Sequence, residues 1–576
     1  MSIVIDGISV LASRLWPVLT FLLGTLGAGT WLAHIFTRGH KNQHLLTLLL
    51  GIPLGLIPVA LLYILLYYIS QFFPTAILIG SLALLSVSVG LLMLWILLVK
   101  PRINGLSAWV QALTGAGGFV LLLTLRLAFL KDLLLPPYSD SPFHVQLVQA
   151  YFTPGSFSDG LSASGYYHTG FHALTAWQAS FSKLDTLIAI PLVGQLLLAL
   201  TPLGVFALLL TLTDKMHAAW FAALLTSFTW SMPAFAANWS KYPALAAVCL
   251  LPAVLTLFWL LRSKLEKYWV KILLAVFLAV GSALYHTRLL IVYVIIGCSV
   301  LLVYVAKRML PKKGVTALCA LTAATLLCLV AFDGDLGRLY VYSSFATILI
   351  LLLALPFSVM RYPGLTLGVS IFGLLLLLAR RIPLPQNLTV GAETLIDRPF
   401  AAILFFLPLA VLCAIGLNAL SAWLSAHRMN SLVVFTTLVI IVLFSTLDTN
   451  AYKPDPCCNF TNPADLTALE WMNKNLPADA TVYIASIEKG DGFSGSDAGV
   501  WITTVTGLRT ELLRFDHVWF SSAGHVQACQ FAPAYLYASG QTYSFQINTI
   551  TRPDWYKPVY THEHVVIYQI IGCSDI

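Results

Sequence analysis

Apolar runs of about 20 residues recur along most of the chain, and each is long enough to cross a hydrocarbon core of roughly 30 Å. They extend from Pro17 to Leu447. Hydrophobic residues make up 59% of the 576 residues and charged residues only 10%, whereas a soluble domain carries roughly 25% charge. The sequence therefore predicts a polytopic membrane protein and excludes fibrous, disordered and purely secreted classes.

The apolar pattern predicts an α-helical fold with about 14 transmembrane helices. We expect them near residues 17–36, 45–68, 75–99, 108–130, 186–212, 216–235, 242–261, 270–284, 289–306, 314–332, 341–360, 364–379, 399–424 and 431–447. Three domains are expected: N-terminal additional helices in residues 1–107, a transmembrane domain in 108–447 with a long loop at 131–185, and a C-terminal α/β domain in 448–576.

Charge is divided unevenly between the apolar part and the tail. Residues 1–447 hold 25 Lys and Arg against 11 Asp and Glu, whereas residues 448–576 hold 7 against 13. Basic clusters occupy alternate connections, and by the positive-inside rule these face the cytoplasm. The loop 131–185 and the C-terminal domain are then extracytoplasmic, in a chain integral to the cell (plasma) membrane. The basic excess has this topological cause, so we expect no nucleic-acid partner; membrane lipids are the expected surroundings.

The tail after Leu447 alternates between helix and strand signals. Asn462-Pro463 is a capping side chain followed by proline at the first helical position, and it predicts a helix over Ala464–Lys474. Short strands are predicted where β-branched and aromatic residues concentrate. These are Thr481–Ser486, Val500–Val505, Ala534–Ala538 and His564–Ile571.

Four of the nine cysteines, Cys457, Cys458, Cys529 and Cys573, fall in the tail. An even number in an extracytoplasmic domain favours disulfides, although the pairing does not follow from the sequence. We expect bridges from Cys457 and Cys458 to Cys529 and Cys573, because adjacent cysteines would form a strained ring. Reduced thiols are the alternative.

The loop after the fourth predicted span concentrates chemically useful side chains. Asp140 follows that span, and an amphipathic helix is expected over Val145–Phe152. A second segment, Tyr166–Leu174, carries aromatic residues and two histidines. A carboxylate held here can act as a general base.

Together these motifs resemble the GT-C superfamily, the polytopic glycosyltransferases whose donors are polyprenyl-phosphate sugars. Asp140 stands where the catalytic aspartate of that superfamily is expected, just after a transmembrane helix. Further similar segments are Tyr167–His172, Asn238–Pro243, Tyr285–Arg288, Asp397–Phe400, Leu469–Met472, Asp497–Trp501 and Thr506–Arg509. The match covers residues 108–576 through short motifs.

The resemblance implies a hexosyl- or pentosyltransferase of cell-envelope glycan biosynthesis. It would move a sugar from a polyprenyl-phosphate donor to a lipid, glycan or protein acceptor at the extracytoplasmic face, with Asp140 as general base. The implied substrate contacts are His144, Tyr167, His168, His172, Lys241, His286, Arg288 and Arg398, with Arg338 as a second choice. No cofactor is certain. A divalent metal stays open but is not favoured, because Ser141-Pro142 replaces the second acid of many members.

Simpler interpretations compete with each assignment. Asp140 could cap the following helix, and the histidines could make structural hydrogen bonds or, with Asp140, bind zinc. Arg288 and Arg398 could extend to the membrane interface, while Lys241, Arg338, Arg380 and Arg381 could be plain loop charges. Asp333-Gly334-Asp335 has the spacing of a metal-binding motif, and Asp497 with Trp501 could cover an acceptor.

Two other functional classes are open. A transporter or flippase for lipid-linked glycans would need charged residues inside the spans. Arg126 is the main such residue. A non-catalytic membrane scaffold whose outer domain binds a partner is the third interpretation.

Overall fold

A computed structural model of the protein describes residues 2–73, 75–100, 106–152, 168–261, 268–384, 394–444, 452–489 and 492–573. Tyr167, a predicted substrate contact, lies outside the described residues. The chain divides into two compact units. The first contains Met1–Lys131, Ala150–Ala237 and Lys241–Lys453, and the second contains Asp132–Gln149, Asn238–Ser240 and Pro454–Ile576.

The first unit is helical. Its helices are Ser2–Ser13, Leu15–Thr37, Gln43–Ser70, Ala76–Val99, Leu106–Leu127, Gly170–Ser182, Thr186–Thr213, Met216–Phe228, Tyr242–Leu260, Tyr268–Ser282, Leu289–Met309, Lys312–Phe332, Phe345–Arg361, Pro363–Ala379, Arg398–Leu404, Phe406–Ala426 and Ser431–Phe444. Within the described ranges, nine candidate spans are long and apolar enough to cross a membrane, or ten if the bent pair Gly334–Val341 and Phe345–Arg361 forms one. The protein is thus a polytopic membrane protein.

Each of the fourteen predicted segments coincides with an apolar helix. Nine meet the length expected of a span and one belongs to the bent pair. The other four are apolar helices of 10–17 residues, shorter than the roughly 20 residues that cross a bilayer without help. They are Met216–Phe228, Tyr268–Ser282, Pro363–Ala379 and Ser431–Phe444. Length and composition support nine or ten spans, and fourteen stays a prediction.

Two N-terminal helices, Leu15–Thr37 and Gln43–Ser70, meet backbone to backbone. A Cβ atom added at Gly29 would lie 1.7 Å from the carbonyl oxygen of Gly51, and one added at Gly55 would lie 1.8 Å from that of Thr25. Small residues permit such approach between membrane helices, where dispersion contacts rather than the hydrophobic effect drive association. Glycine is therefore required at these positions.

The N-terminal helices also pack against segments that carry predicted site residues. The Tyr285 hydroxyl donates to the carbonyl oxygen of Leu56 at 2.6 Å, and the hydroxyls of Tyr63 and Ser180 lie 3.0 Å apart. Residues 2–99 therefore belong to the same compact unit as the helices that follow. The two compact units reflect packing and do not test the predicted domain boundaries at residues 107 and 447. Those boundaries stay predictions.

The second unit is built on a six-stranded mixed sheet. Its strands are β1 (Thr481–Lys489), β2 (Gly492–Gly495), β3 (Arg509–Arg514), β4 (Ala534–Ala538), β5 (Tyr556–His562) and β6 (Val565–Ile570). The order is β2-β1-β4-β6-β5, and β3 pairs with β1 in parallel. Aromatic side chains form much of its core, among them Trp519, Phe545 and Tyr568.

The helix Pro463–Asn475 begins as predicted, because the Asn462 side chain accepts hydrogen bonds from Ala464 and Asp465. The predicted strand Val500–Val505 is wrong. Residues Ala498–Trp501 form a 3₁₀ turn and Ile502–Thr506 an α-helical turn. The Asp497 carboxylate caps this turn by accepting from the Gly499 N–H, so local capping and burial of Trp501 outweigh β-propensity.

Further helices of the second unit are Ser141–Ala150 and Ser522–Ala528. The expected disulfide pairing is wrong: Cys457 bonds to its neighbour Cys458, and Cys529 bonds to Cys573. The second bridge joins the end of the helix Ser522–Ala528 to the segment after β6, where the Cα atoms lie 5.4 Å apart. Tertiary folding leaves Cys529 and Cys573 adjacent, which spacing in the sequence does not reveal.

Gly55→Ala tests the close helix contact. The added methyl group collides with backbone that cannot move aside, so we expect a loss of roughly 1–3 kcal/mol of stability. Gly90→Ala is the matched control, because a Cβ atom at Gly90 meets nothing within 4 Å. Thermal unfolding of the detergent-solubilised protein measures both, and equal midpoints would contradict the packing.

Candidate functional site

In the first unit, the His286 ring lies between two other rings. The centroid of His168 is 4.5 Å away, and that of Phe400 is 4.0 Å away with the planes 10° apart. His286 is only 6% exposed and lies in the connection between the helices Tyr268–Ser282 and Leu289–Met309. Three separate segments of the sequence therefore meet at one imidazole.

A close backbone approach brings His168 to His286. The Gly170 N–H donates to the carbonyl oxygen of Leu284 at 2.8 Å. A Cβ atom at position 170 would lie 2.9 Å from the backbone of Leu284. Because Gly170 opens its helix two residues after His168, this contact sets the position of the histidine. Glycine is needed here for space.

An ion pair joins two further segments of the cluster. Arg288 Nη1 lies 3.0 Å from Asp397 Oδ1, and both side chains are largely buried. The other Asp397 oxygen accepts the Phe400 N–H at 3.3 Å and so caps the helix Arg398–Leu404. The same carboxylate thus orients the Arg288 guanidinium and fixes the turn that carries Phe400.

The cluster is electropositive. Burial, together with the neighbouring His168, Arg288 and Lys241, holds the pKa of His286 well below its usual range, so its imidazole is neutral at pH 7. Its Nδ1 atom is buried without a hydrogen-bond partner among the described residues. Arg288 and Lys241 supply fixed positive charge. We call His168, Lys241, His286, Arg288, Asp397 and Phe400 the cationic cluster, an arrangement suited to an anionic ligand.

Asp140 lies in the second unit, directly before the helix Ser141–Ala150. Its Oδ1 atom is 3.9 Å from the ammonium of Lys489 at the end of β1. The same ammonium lies 4.7 Å from the centroid of the Tyr138 ring. The hydroxyls of Ser139 and Ser494 are 2.7 Å apart. The β1–β2 hairpin therefore contacts three consecutive residues, Tyr138 to Asp140.

The segment around Asp140 is also held from other directions. The Tyr138 N–H donates to the carbonyl oxygen of Cys458 at 2.8 Å, and the Tyr138 ring stacks on Phe460. His144 is 1% exposed and its Nε2 atom lies 2.9 Å from the carbonyl oxygen of Ser240. A structural role accounts for this histidine, and its predicted contact with substrate stays a prediction.

Three further predicted contacts are His172, Arg398 and Arg338. His172 is fully buried within its helix, and Arg398 is exposed. Arg338 is exposed and pairs with Asp335 at 3.3 Å. Their predicted contacts with substrate stay predictions.

Both acids of the Asp333-Gly334-Asp335 motif form ion pairs with Arg380. Arg380 Nη1 lies 3.0 Å from Asp333, and its Nη2 lies 3.7 Å from Asp335. The view of Arg380 as a plain loop charge is wrong, because its side chain is 91% buried in this ion pair. Among the described residues, no three His, Cys, Asp or Glu side chains are grouped so that they could hold a metal ion.

Asp497 and Trp501 are fully buried in the second unit. Burial, together with the charge of Asp465, raises the pKa of Asp497 to about 7, although hydrogen bonds from Ser544 and the Gly499 N–H oppose the shift. These contacts make Asp497 a structural residue of the domain. Coverage of an acceptor by this pair stays a prediction.

The sequence did not point to Lys489, and it pointed to the wrong role for Arg380. In the sequence Lys489 comes after the predicted strand Thr481–Ser486 and before Gly490-Asp491-Gly492, a setting typical of an exposed lysine, and no motif marks it. Arg380 stands beside Arg381 at the end of an apolar run, and the sequence favours a plain loop charge for both. Only the tertiary structure reveals the acids that they face.

A family profile described as a family of unknown function, DUF6541, matches residues 35–382. A comparison with curated proteins gives no significant match. The matched range includes Asp140, His168, Lys241 and the segment around His286, and it ends before Asp397 and the tail. The description of this family names no activity.

Asp497→Asn tests the buried carboxyl. The folded pKa of about 7 exceeds the unfolded value of about 3.9, so the folded chain retains a proton that the unfolded chain releases, and stability falls from about pH 4 to pH 7. The variant should gain about 4 kcal/mol over the parent at pH 8 and little at pH 4. Thermal unfolding of the full chain at both pH values measures this. Exposed Asp479→Asn is the control, and identical gains at both pH values would contradict the burial.

Proposed function

The chain belongs to the DUF6541 family, and for this member we propose a membrane glycosyltransferase of GT-C type. It would take a sugar from a polyprenyl-phosphate donor and transfer it to a lipid, glycan or protein acceptor. The proposal places the reaction at the extracytoplasmic face of the plasma membrane, where the charge distribution between loops predicts the C-terminal domain to lie.

The observation that supports this function best is the cationic cluster. Motifs that resemble GT-C enzymes, around His168, His286 and Asp397, are far apart in sequence but adjacent in space. A guanidinium, an ammonium and a buried neutral imidazole together suit a phosphodiester or phosphomonoester. The aromatic ring of Phe400 adds an apolar wall to the same site.

The reaction needs a base, a stabilised leaving group and an acceptor hydroxyl. Asp140 accepts the proton of the hydroxyl as its oxygen attacks the anomeric carbon of the sugar. A new glycosidic bond forms, the bond between that carbon and the phosphate oxygen breaks, and the electron pair leaves with the polyprenyl phosphate. A single displacement of this kind inverts the anomeric configuration.

The cationic cluster would act on the leaving phosphate. Arg288 is held by Asp397 at 3.0 Å, so its guanidinium requires little reorganisation when negative charge develops, which is the condition for effective electrostatic stabilisation. The neutral His286 ring would donate or accept a hydrogen bond without adding charge. Lys241 would contribute a second positive charge.

Asp140→Asn tests the general base. Loss of a positioned base typically costs 10²–10⁴-fold in rate, so we expect transfer to fall by at least about 100-fold. The assay uses membranes, a panel of labelled polyprenyl-phosphate sugars and equal protein abundance. Asp132→Asn is the matched control, an exposed acid in the same segment. Full activity of Asp140→Asn would place the base elsewhere, and no turnover by the parent with any donor would favour the transporter or scaffold interpretation.

Arg288→Met tests the phosphate contact. Removal of one charge-assisted interaction is worth about 1.5–3 kcal/mol, so kcat/KM for the donor should fall roughly 10–150-fold. Arg308→Met is the control, because Arg308 is an exposed arginine at the other end of the same helix, Leu289–Met309. If kcat/KM for the donor is the same in both variants, the cationic cluster does not bind the donor phosphate.

A further inference from the structure

The Lys489 ammonium lies beside both a carboxylate and an aromatic face. It is 3.9 Å from Asp140 Oδ1 and 4.7 Å from the centroid of the Tyr138 ring. The Lys489 side chain is 44% exposed and that of Asp140 is 28% exposed, so a substrate can reach both. The pair is thus an accessible one, unlike the buried ion pair of Arg380.

The distance between the two charges is informative. At 3.9 Å the ammonium is too far from the carboxylate for a hydrogen bond, which requires about 3.2 Å or less. A positive charge at about 4–6 Å still favours the ionised form of a carboxylate. Lys489 can therefore keep Asp140 negative without occupying the lone pair that must accept a proton.

The Tyr138 ring fixes the ammonium in this place. Cation–π attraction operates within about 6 Å of a ring centroid. The ring is itself held, because Tyr138 stacks on Phe460 and donates its N–H to the carbonyl oxygen of Cys458. Its backbone has φ of 69°, a left-handed conformation that non-glycine residues rarely adopt. Surrounding contacts must maintain that conformation.

The hairpin that carries Lys489 contacts the same segment a second time. Lys489 pairs with Gly492 in the register of β1 and β2, and Ser494 of β2 lies against Ser139. Glu488, the neighbouring acid, is engaged by Arg514, which also pairs with Asp516. Among the ion pairs of the described residues, Asp140 is the acid that Lys489 contacts.

We propose that Lys489 is a positioning residue for the general base: it keeps the Asp140 carboxylate ionised and oriented, and the Tyr138 ring holds it there. This inference rests on the proposed function. It assigns the C-terminal domain a direct part in the reaction, in addition to any role in binding the acceptor.

The test is the pH dependence of sugar transfer by the full-length protein. Lys489→Met removes the charge and keeps the length of the side chain, so Asp140 should become protonated more easily. We expect the acidic limb of the kcat/KM profile to move to higher pH by about one unit in Lys489→Met, while kcat/KM at pH 8 matches the parent. Lys489→Arg should return the acidic limb toward its position in the parent.

Substitutions of the ring provide a second, independent variant. Tyr138→Leu removes the cation–π contact and should move the acidic limb of the profile in the same direction, whereas Tyr138→Phe keeps the ring and should follow the parent. Lys557→Met is the charge control, because Lys557 is exposed on β5 of the same domain. Thermal unfolding checks that each variant folds.

The outcomes separate the two proposals. If Lys489→Met follows the parent at every pH while Asp140→Asn is inactive, the positioning role is overturned and the glycosyltransferase proposal stands. A uniform loss in Lys489→Met with an unchanged acidic limb also overturns the positioning role, because it indicates a substrate contact or a structural contact. If the parent transfers no sugar from any donor, both proposals fall.

Discussion

Backbone N–H and C=O groups cannot remain unpaired in an apolar environment, and most of this chain is apolar. Helices satisfy these groups internally, which explains why long helices account for nearly all of the first unit. The polar side chains of the cationic cluster lie in the connections between helices or at helix ends. His168, His286, Arg288 and Asp397 all occupy such positions.

The connections meet because the helices around them pack closely. Gly170 lets the start of its helix touch the backbone of Leu284, and the N-terminal helices contact the same region through the Tyr285 hydroxyl and Ser180. Residues 2–99 therefore contribute to the stability of the cationic cluster. A substitution in the N-terminal helices can alter the site without contacting a substrate.

In the second unit, a β-sheet rather than helix packing positions the predicted site residue. A sheet with an aromatic core supports the β1–β2 hairpin, and the hairpin contacts the short segment that carries Asp140. Asp132–Gln149 belongs to this unit although it lies early in the sequence. The tail is thus part of the environment of the proposed base.

The sequence by itself determined the membrane class, the position of the apolar helices, the helix capped by Asn462 and three of the six strands, because hydrophobic periodicity and capping are local signals. Short motifs also predicted His168, His286 and Arg288, which the structure brings together, and Asp140, whose role as base stays a prediction. Tertiary structure alone decided the Cys529–Cys573 bridge and the partners of Arg380 and Lys489. These depend on contacts between residues distant in the chain, whose energies exceed local propensity and leave no pattern in the sequence.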